Sequence, residues 1–243
     1  MQTPRLLASA ALTIALFLST NACAQKDAAP IQLFNGKDLT GWIAYTRDNS
    51  PDAAQTWGVR DGVLTDSGKP NGYLRTEKRY GNYKLTVEWR WTAAPTLGAN
   101  GKPRTRNNGV LLHMQGKDQV WPQSIEAQLM EQNAGDFYTI GSVDTNEHKA
   151  ARDAAIAAAG DDEAAKKRAA GNRRLTKKNP SNEKPDGEWN RYDIVCQGDT
   201  ITLTVNGVEQ NRATGVTVQE GHICLQSEGA PAEFRNITLT PLK

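Results

Sequence analysis

From Tyr83 to Trp91 the chain alternates without interruption: Tyr83, Leu85, Val87, Trp89 and Trp91 are apolar, and Lys84, Thr86, Glu88 and Arg90 between them are polar. Side chains of an extended backbone point to opposite faces in turn, so this stretch reads as a strand with one buried and one wetter face. The same texture recurs along the chain. Trp57-Gly58-Val59-Arg60-Asp61-Gly62-Val63-Leu64 places β-formers on both sides of Asp-Gly, a strong hairpin signal. Residues 109–115 and 124–130 read as two further strands. Gly198-Asp199 joins Tyr192–Gln197 to Thr200–Val205, and Asn206-Gly207 turns the chain again before Val208. His222–Ser227 and Phe234–Leu239 close the series. Many short strands punctuated by turn residues predict an all-β sandwich or barrel.

The first residues belong to a different physical class. Met1–Arg5 carries one positive charge, Leu6–Leu18 is an apolar run, and small residues follow in Ser19-Thr20-Asn21-Ala22-Cys23-Ala24. That order is the signature of a secretory signal peptide over residues 1–24, in a run too short to span a membrane. Cleavage after Ala24 leaves Gln25 first. Alternatively, Cys23 becomes the lipidated first residue of a lipoprotein, the one route by which the chain would hold a membrane. The expected location is therefore the periplasm or outside, or the cell envelope through a lipid.

Removing residues 1–24 takes away one cation, Arg5, and leaves 28 Lys and Arg against 27 Asp and Glu. A net charge of +1 excludes a general nucleic-acid binder, which needs a strong basic excess. Residues 25–30 read as a tether and 31–242 as one domain. Two cysteines remain, Cys196 and Cys224, which read as buried core thiols rather than a disulfide framework.

One stretch breaks the strand pattern. An insert over about 147–180 is rich in Ala and Lys, with good helix propensity and almost no bulky apolar residue. Lys149–Lys178 holds 9 basic and 4 acidic residues, a local net of +5. Such a run serves either as a solvated helical excursion between strands or as a basic, anion-binding arm, and the solvated excursion is the expectation.

Alternation also sorts the candidate functional residues. In 109–115, His113 and Gln115 fall on one side with Leu111, opposite Val110, Leu112 and Met114. In 124–130, Ser124, Glu126 and Gln128 fall opposite Ile125, Ala127 and Leu129. If the strands are neighbours, His113, Gln115, Glu126 and Gln128 line one face, with Arg106-Asn107-Asn108 leading in and Trp121 in the connection. Amides, a carboxylate, an imidazole and an aromatic ring suit a sugar, whose hydroxyls need donors and acceptors. The solvent side of an antiparallel sheet is also polar, so spacing alone leaves both readings open.

Other chemistries find no template. There is no His-Glu-x-x-His, no Cys-x-x-Cys, no phosphate-binding glycine loop and no Gly-x-Ser-x-Gly elbow. Three histidines, His113, His148 and His222, make a three-His zinc site unexpected. Asp66, Asp136 and Asp144 are possible oxygen ligands for a divalent metal ion such as Ca²⁺, or they cap turns.

An ordered set of segments carries a resemblance. Leu33-Phe34-Asn35-Gly36-Lys37-Asp38-Leu39-Thr40-Gly41-Trp42, Asn107-Asn108-Gly109-Val110, Trp121-Pro122-Gln123-Ser124-Ile125-Glu126-Ala127-Gln128-Leu129 and Asn133-Ala134-Gly135-Asp136-Phe137 open it. Gly187-Glu188-Trp189-Asn190, Val205-Asn206-Gly207, Ile223-Cys224-Leu225-Gln226-Ser227-Glu228-Gly229 and Phe234-Arg235-Asn236-Ile237 complete it. Together they resemble the 3-keto-disaccharide hydrolase domain family over about Ile31–Leu242. Asn108 stands where that family commonly has Ser, and the Ala/Lys-rich insert is longer than the family leads one to expect.

The resemblance implies a concanavalin A-like, two-sheet jelly roll with a concave sugar-binding sheet. It also implies action on 3-keto-glycosides, in which a C3 ketone acidifies the C2 hydrogen. A base removes that hydrogen, an enediolate forms, the C1 substituent leaves, and water can add back. Such a reaction needs a base and a group, or a metal ion (Ca²⁺ or a transition metal), to stabilise the enolate oxygen. Base duty is expected of His113 or Glu126, and substrate binding of Gln128, Asn108, Arg106, Gln115 and Trp121. Glu131, Gln226 and Glu228 are weaker candidates. The competing class is a non-catalytic carbohydrate-binding module. A conventional glycosidase ranks behind both, since it wants a carboxylate pair and Glu126 has no acidic partner at 124 or 128.

Overall fold

A computed structural model describes residues 29–47 and 53–243; the expected signal peptide over residues 1–24, Cys23 and most of the expected tether lie outside them. Among the described residues, fifteen strands and three helices follow in chain order. The first group is β1 (Ile31–Gln32), β2 (Trp42–Thr46), α1 (Ala53–Thr56), β3 (Trp57–Arg60), β4 (Val63–Asp66), β5 (Gly72–Thr76) and β6 (Tyr83–Trp91). The middle is β7 (Gly109–Gln115), β8 (Gln123–Gln128), β9 (Phe137–Ile140), α2 (Asn146–Ala158), α3 (Glu163–Ala170) and β10 (Arg174–Leu175). The last is β11 (Asn190–Gln197), β12 (Thr200–Val205), β13 (Val208–Ala213), β14 (His222–Ser227) and β15 (Ala232–Pro241).

The strands form two antiparallel sheets. One runs β13-β12-β11-β6-β15-β4-β3, with β1 added beside β15; the other runs β10-β9-β8-β7-β14-β5-β2. Strand β6 takes a central place in the first sheet because its alternation is so complete. Leu85, Val87 and Trp89 are fully buried and meet Leu74, Leu112, Ile125, Ile223 and Leu225 of the second sheet in one core. Truncating a fully buried side chain such as Trp89 to Ala costs about 3–5 kcal/mol. The two-residue turns fall where the sequence sets them. Asp61 and Gly62 close β3–β4, and Asn206 and Gly207 close β12–β13, all four with positive φ as a hairpin twist requires.

The insert does fold into helices. Thr145 caps α2, its hydroxyl accepting from the His148 amide. Glu147 then fastens the helix to the loop after β13 by accepting from the Thr214 amide (2.7 Å) and hydroxyl (2.8 Å). Helix α3 buries none of its residues, as an apolar-poor sequence dictates. Cys196 sits in the main core and Cys224 in a separate cluster with Tyr73, Leu111 and Met114, and both are free thiols.

Candidate functional site

Strand β8 pairs with β7 on one side and β9 on the other, setting Glu126 opposite Leu111 and Tyr138. Ile125 and Ala127 point into the core, so Glu126 must point outward from the second sheet. It is nevertheless only 5% exposed. Loops cover this face. In the β7–β8 connection, Asp118 accepts from the Tyr73 hydroxyl (2.9 Å) and from Arg75 Nε (2.9 Å), strapping the loop down and bringing Trp121 over the face.

A cavity of about 390 Å³ results, lined by Asn107, Trp121, Glu126, Gln128, Tyr138 and Glu228 among others. Glu228 follows β14, which lies across β7 from β8. On the strand between them, the residue beside the Glu126 and Gln226 side-chain oxygens is Gly109, the next on this face after Leu111. A Cβ there would overlap both Glu126 Oε1 and Gln226 Oε1. Glycine thus holds open the space between the two acidic strands.

The electrostatics follow from that enclosure. Burial, then the neighbouring Glu228 carboxylate, pushes the Glu126 pKa up to about 8. Its Oε1 has no hydrogen-bond partner among the described residues. Burial also raises the Glu228 pKa, against the opposing pull of hydrogen bonds from Asn107 and Trp121. At neutral pH the cavity therefore holds a protonated acid, Glu126, next to a more readily ionised one. Two carboxyl groups with environments that push them apart are a recurring basis for acid–base chemistry.

Three of the main sequence-derived site residues meet here, Glu126, Gln128 and Trp121, together with the weaker candidate Glu228. Gln128 turns its Oε1 back to accept from the Leu129 (2.8 Å) and Met130 (2.7 Å) amides, so it shapes the wall. His113 and Gln115 go elsewhere, which corrects the alternation reading. A β-bulge shifts the β7–β8 register between Leu112 and Gln115, and His113 adopts φ +55°. The bulge swaps the faces: Met114 joins Leu111 outside, and the His113 ring turns inward, edge-on to Tyr83 at 5.6 Å. Its Nδ1 donates to the Val218 carbonyl (2.9 Å), and burial lowers its pKa, keeping it neutral. Gln115 is spent on the His113 and Glu220 carbonyls and on Arg79.

Arg106 and Asn108 are likewise committed. Arg106 reaches Glu131 (2.7 Å), Asp186 (2.6 Å) and the Ala93 carbonyl (3.0 Å), and lies over Trp91. Asn108 donates to Asp66 (3.0 Å) and accepts from the Gly109 amide (2.8 Å). Asp66, Asp136 and Asp144 do not converge. Asp136 is held by Arg174 (2.6 Å) and Asp144 by Arg152 (2.5 Å), and among the described residues no group of three or more His, Cys, Asp or Glu is placed to hold a metal. Sequence reasoning underrated Glu228 and passed over Tyr138, Gly109 and Arg173. The available signal for Glu228 was its position at the end of an alternating strand whose even-numbered residues share a face.

The chain is similar to known carbohydrate-active proteins. It is 23% identical over 182 residues to a 3-keto-disaccharide hydrolase of Bacteroides thetaiotaomicron, an alignment covering 70% of this chain and 53% of the relative. The chain thus spans about half the length of that curated relative. A candidate glycosyl hydrolase of Parabacteroides distasonis superposes with a TM-score of 0.56 at 19% identity, covering 88% of this chain and 94% of that one. A Bacillus licheniformis beta-glucanase superposes with a TM-score of 0.54 at 12% identity, covering 90% and 99%. These likenesses establish the concanavalin A-like jelly-roll fold. The sequence profile of the 3-keto-alpha-glucoside-1,2-lyase-like domain matches residues 29–240, nearly the whole described chain, and the protein belongs to that family.

Proposed function

We propose that the protein, after export, cleaves 3-keto-glycosides in the Glu126 cavity by β-elimination, with water adding to the product. The observation that carries this reading is the acid pair: Glu126, buried and without a partner at Oε1 among the described residues, shares one enclosure with Glu228, and burial pushes its pKa up to about 8. Glu228, the more readily ionised, takes the C2 proton. The C2–H electrons become the C2–C3 double bond of an enolate, and the C3 oxygen carries the charge. As those electrons return, the C1–O bond breaks, and Glu126 gives its proton to the departing oxygen. Tyr138, whose phenol is held protonated by a pKa raised chiefly through burial, is a hydrogen-bond donor available to the enolate.

The base is needed because the ketone makes C2 acidic, and the acid is needed because an alkoxide is a poor leaving group. His113 has no part in this scheme. The test offers the protein a disaccharide and its C3-oxidised form, in heavy water, and follows released sugar and C2 deuteration. Cleavage of the oxidised form alone supports the proposal. Equal cleavage of both points to an ordinary glycosidase, and binding without cleavage points to a binding module; either result overturns it.

A further inference from the structure

The Glu126 cavity has a neighbour. A second hollow, of about 270 Å³, is lined by Ser142, Asp144, Arg152, Asn172 and Arg173 among others. Thr139, Gly141 and Arg173 belong to both walls. The far side of this second hollow comes from the insert: Arg152 lies on α2, and Asn172 and Arg173 link α3 to β10.

Two arginines face it in different electrical states. Arg152 is matched by Asp144 at 2.5 Å. Arg173 forms no ion pair among the described residues; its Nη1 donates to the Gly141 carbonyl at 2.8 Å and to the Thr139 carbonyl at 3.5 Å. Two neutral acceptors fix the guanidinium in place without cancelling its charge. They use only Nη1, which leaves the Nε–Nη2 edge, the edge that matches a carboxylate with two parallel hydrogen bonds. In the first cavity the Glu228 carboxylate repels an anion, so an acidic unit is sorted to the Arg173 side.

We propose that the second hollow is a subsite for an acidic leaving group, a uronic acid linked to the 3-keto sugar, with Arg173 as its specificity-determining contact. This rests on the reading that the Glu126 cavity is where the keto sugar is cleaved. It also gives the longer insert a role: it supplies the wall and the cation.

The experiment compares two C3-oxidised substrates that differ only in a neutral glucose or a glucuronate as leaving unit, on wild type, Arg173→Gln and Arg173→Lys. Wild type should favour the acidic substrate by about tenfold in kcat/KM, the size of one exposed charge-assisted contact. Arg173→Gln should erase that preference, Arg173→Lys should keep part of it, and it should fade as salt rises. No preference in wild type, or one that survives in Arg173→Gln, overturns the subsite. Calorimetry with the unoxidised acidic and neutral disaccharides reads the subsite separately from turnover. If neither oxidised substrate is cleaved but Arg173-dependent binding of the acidic one is present, the cleavage reading fails and the subsite stands. Equal binding of both sugars removes the subsite.

Discussion

Glu126 and Asp66 are both buried carboxyl groups, and burial raises both pKa values, to about 8 and about 7. Their surroundings differ. Asp66 Oδ1 accepts from the Gly68 amide (2.9 Å), and Oδ2 from Asn108 (3.0 Å), so each oxygen is used. Glu126 Oε1 has no such partner, and a glycine keeps the space beside it open. One acid is part of the scaffold and the other is aimed at a cavity. A raised pKa alone does not separate them, since both have burial as the chief cause. The hydrogen-bond inventory does.

The sharpest way to break this contrast is Glu126→Gln. Loss of a proton-transferring group costs about 10²–10⁴-fold in kcat/KM. Stability should move the other way. The folded-state pKa of about 8 lies above the ordinary 4.5, so folding disfavours the ionised form. The resulting penalty is absent below pH about 4.5, grows as pH rises, and is complete above about 8. At pH 7 the Gln variant should therefore be more stable than wild type, on the order of 3 kcal/mol, with the difference vanishing toward pH 4. Urea titrations across pH check this. An unstable, active variant would make Glu126 structural. In wild type, turnover should fall above pH about 8 as Glu126 loses its proton.

Asp66→Asn is the mirror test. The amide also removes a buried charge, yet its NH₂ must face either the Asn108 NH₂ or the Gly68 N–H, donor against donor. The expected result is a loss of about 1–3 kcal/mol, read from the urea midpoint, with activity of the folded protein falling far less than in Glu126→Gln. A stabilised Asn variant would mean the two acids are alike after all.

Much of this architecture was legible in the sequence, and the failures have physical causes. The β6 alternation and the Asp61-Gly62 and Asn206-Gly207 turns are local signals, and the structure follows them. Glu126 was legible for the same reason, because Ile125 and Ala127 beside it are unambiguously core. His113 was not. One extra residue in β7 reverses the facing of everything beyond it, and nothing in Leu-Leu-His-Met-Gln marks the bulge. The Glu126–Glu228 pairing was illegible too, since it depends on β7 standing between β8 and β14, strands about a hundred residues apart. A search for carboxylates within one strand cannot find a pair made across three.

Gly109→Ala narrows the contrast to one methyl group. The added carbon must displace both Glu126 and Gln226, at the far ends of flexible side chains, so stability should fall by about 1–3 kcal/mol as in other overpacked sites. Turnover should fall about 10–100-fold, because small misplacements of a reacting group are costly. Thermal unfolding and steady-state kinetics on the same sample report the two separately. Unchanged turnover would imply that the space between Glu126 and Gln226 is not where the reaction occurs.

The smallest effect on activity is expected at His113, which sets the limit of the site. Asn tolerates the positive φ at this bulge, so His113→Asn keeps the backbone while removing the ring from Tyr83 and its bond to Val218. The cost should be about 1–2 kcal/mol of stability, with kcat/KM within about twofold of wild type and the pH profile unmoved. The ring is neutral, faces the core, and is separated by its own sheet from the face that carries Glu126. A loss of turnover comparable to Glu126→Gln, in a variant that still unfolds cooperatively, would put the imidazole into the chemistry. The division between an aimed acid on one face and scaffold groups behind it would then have to be redrawn.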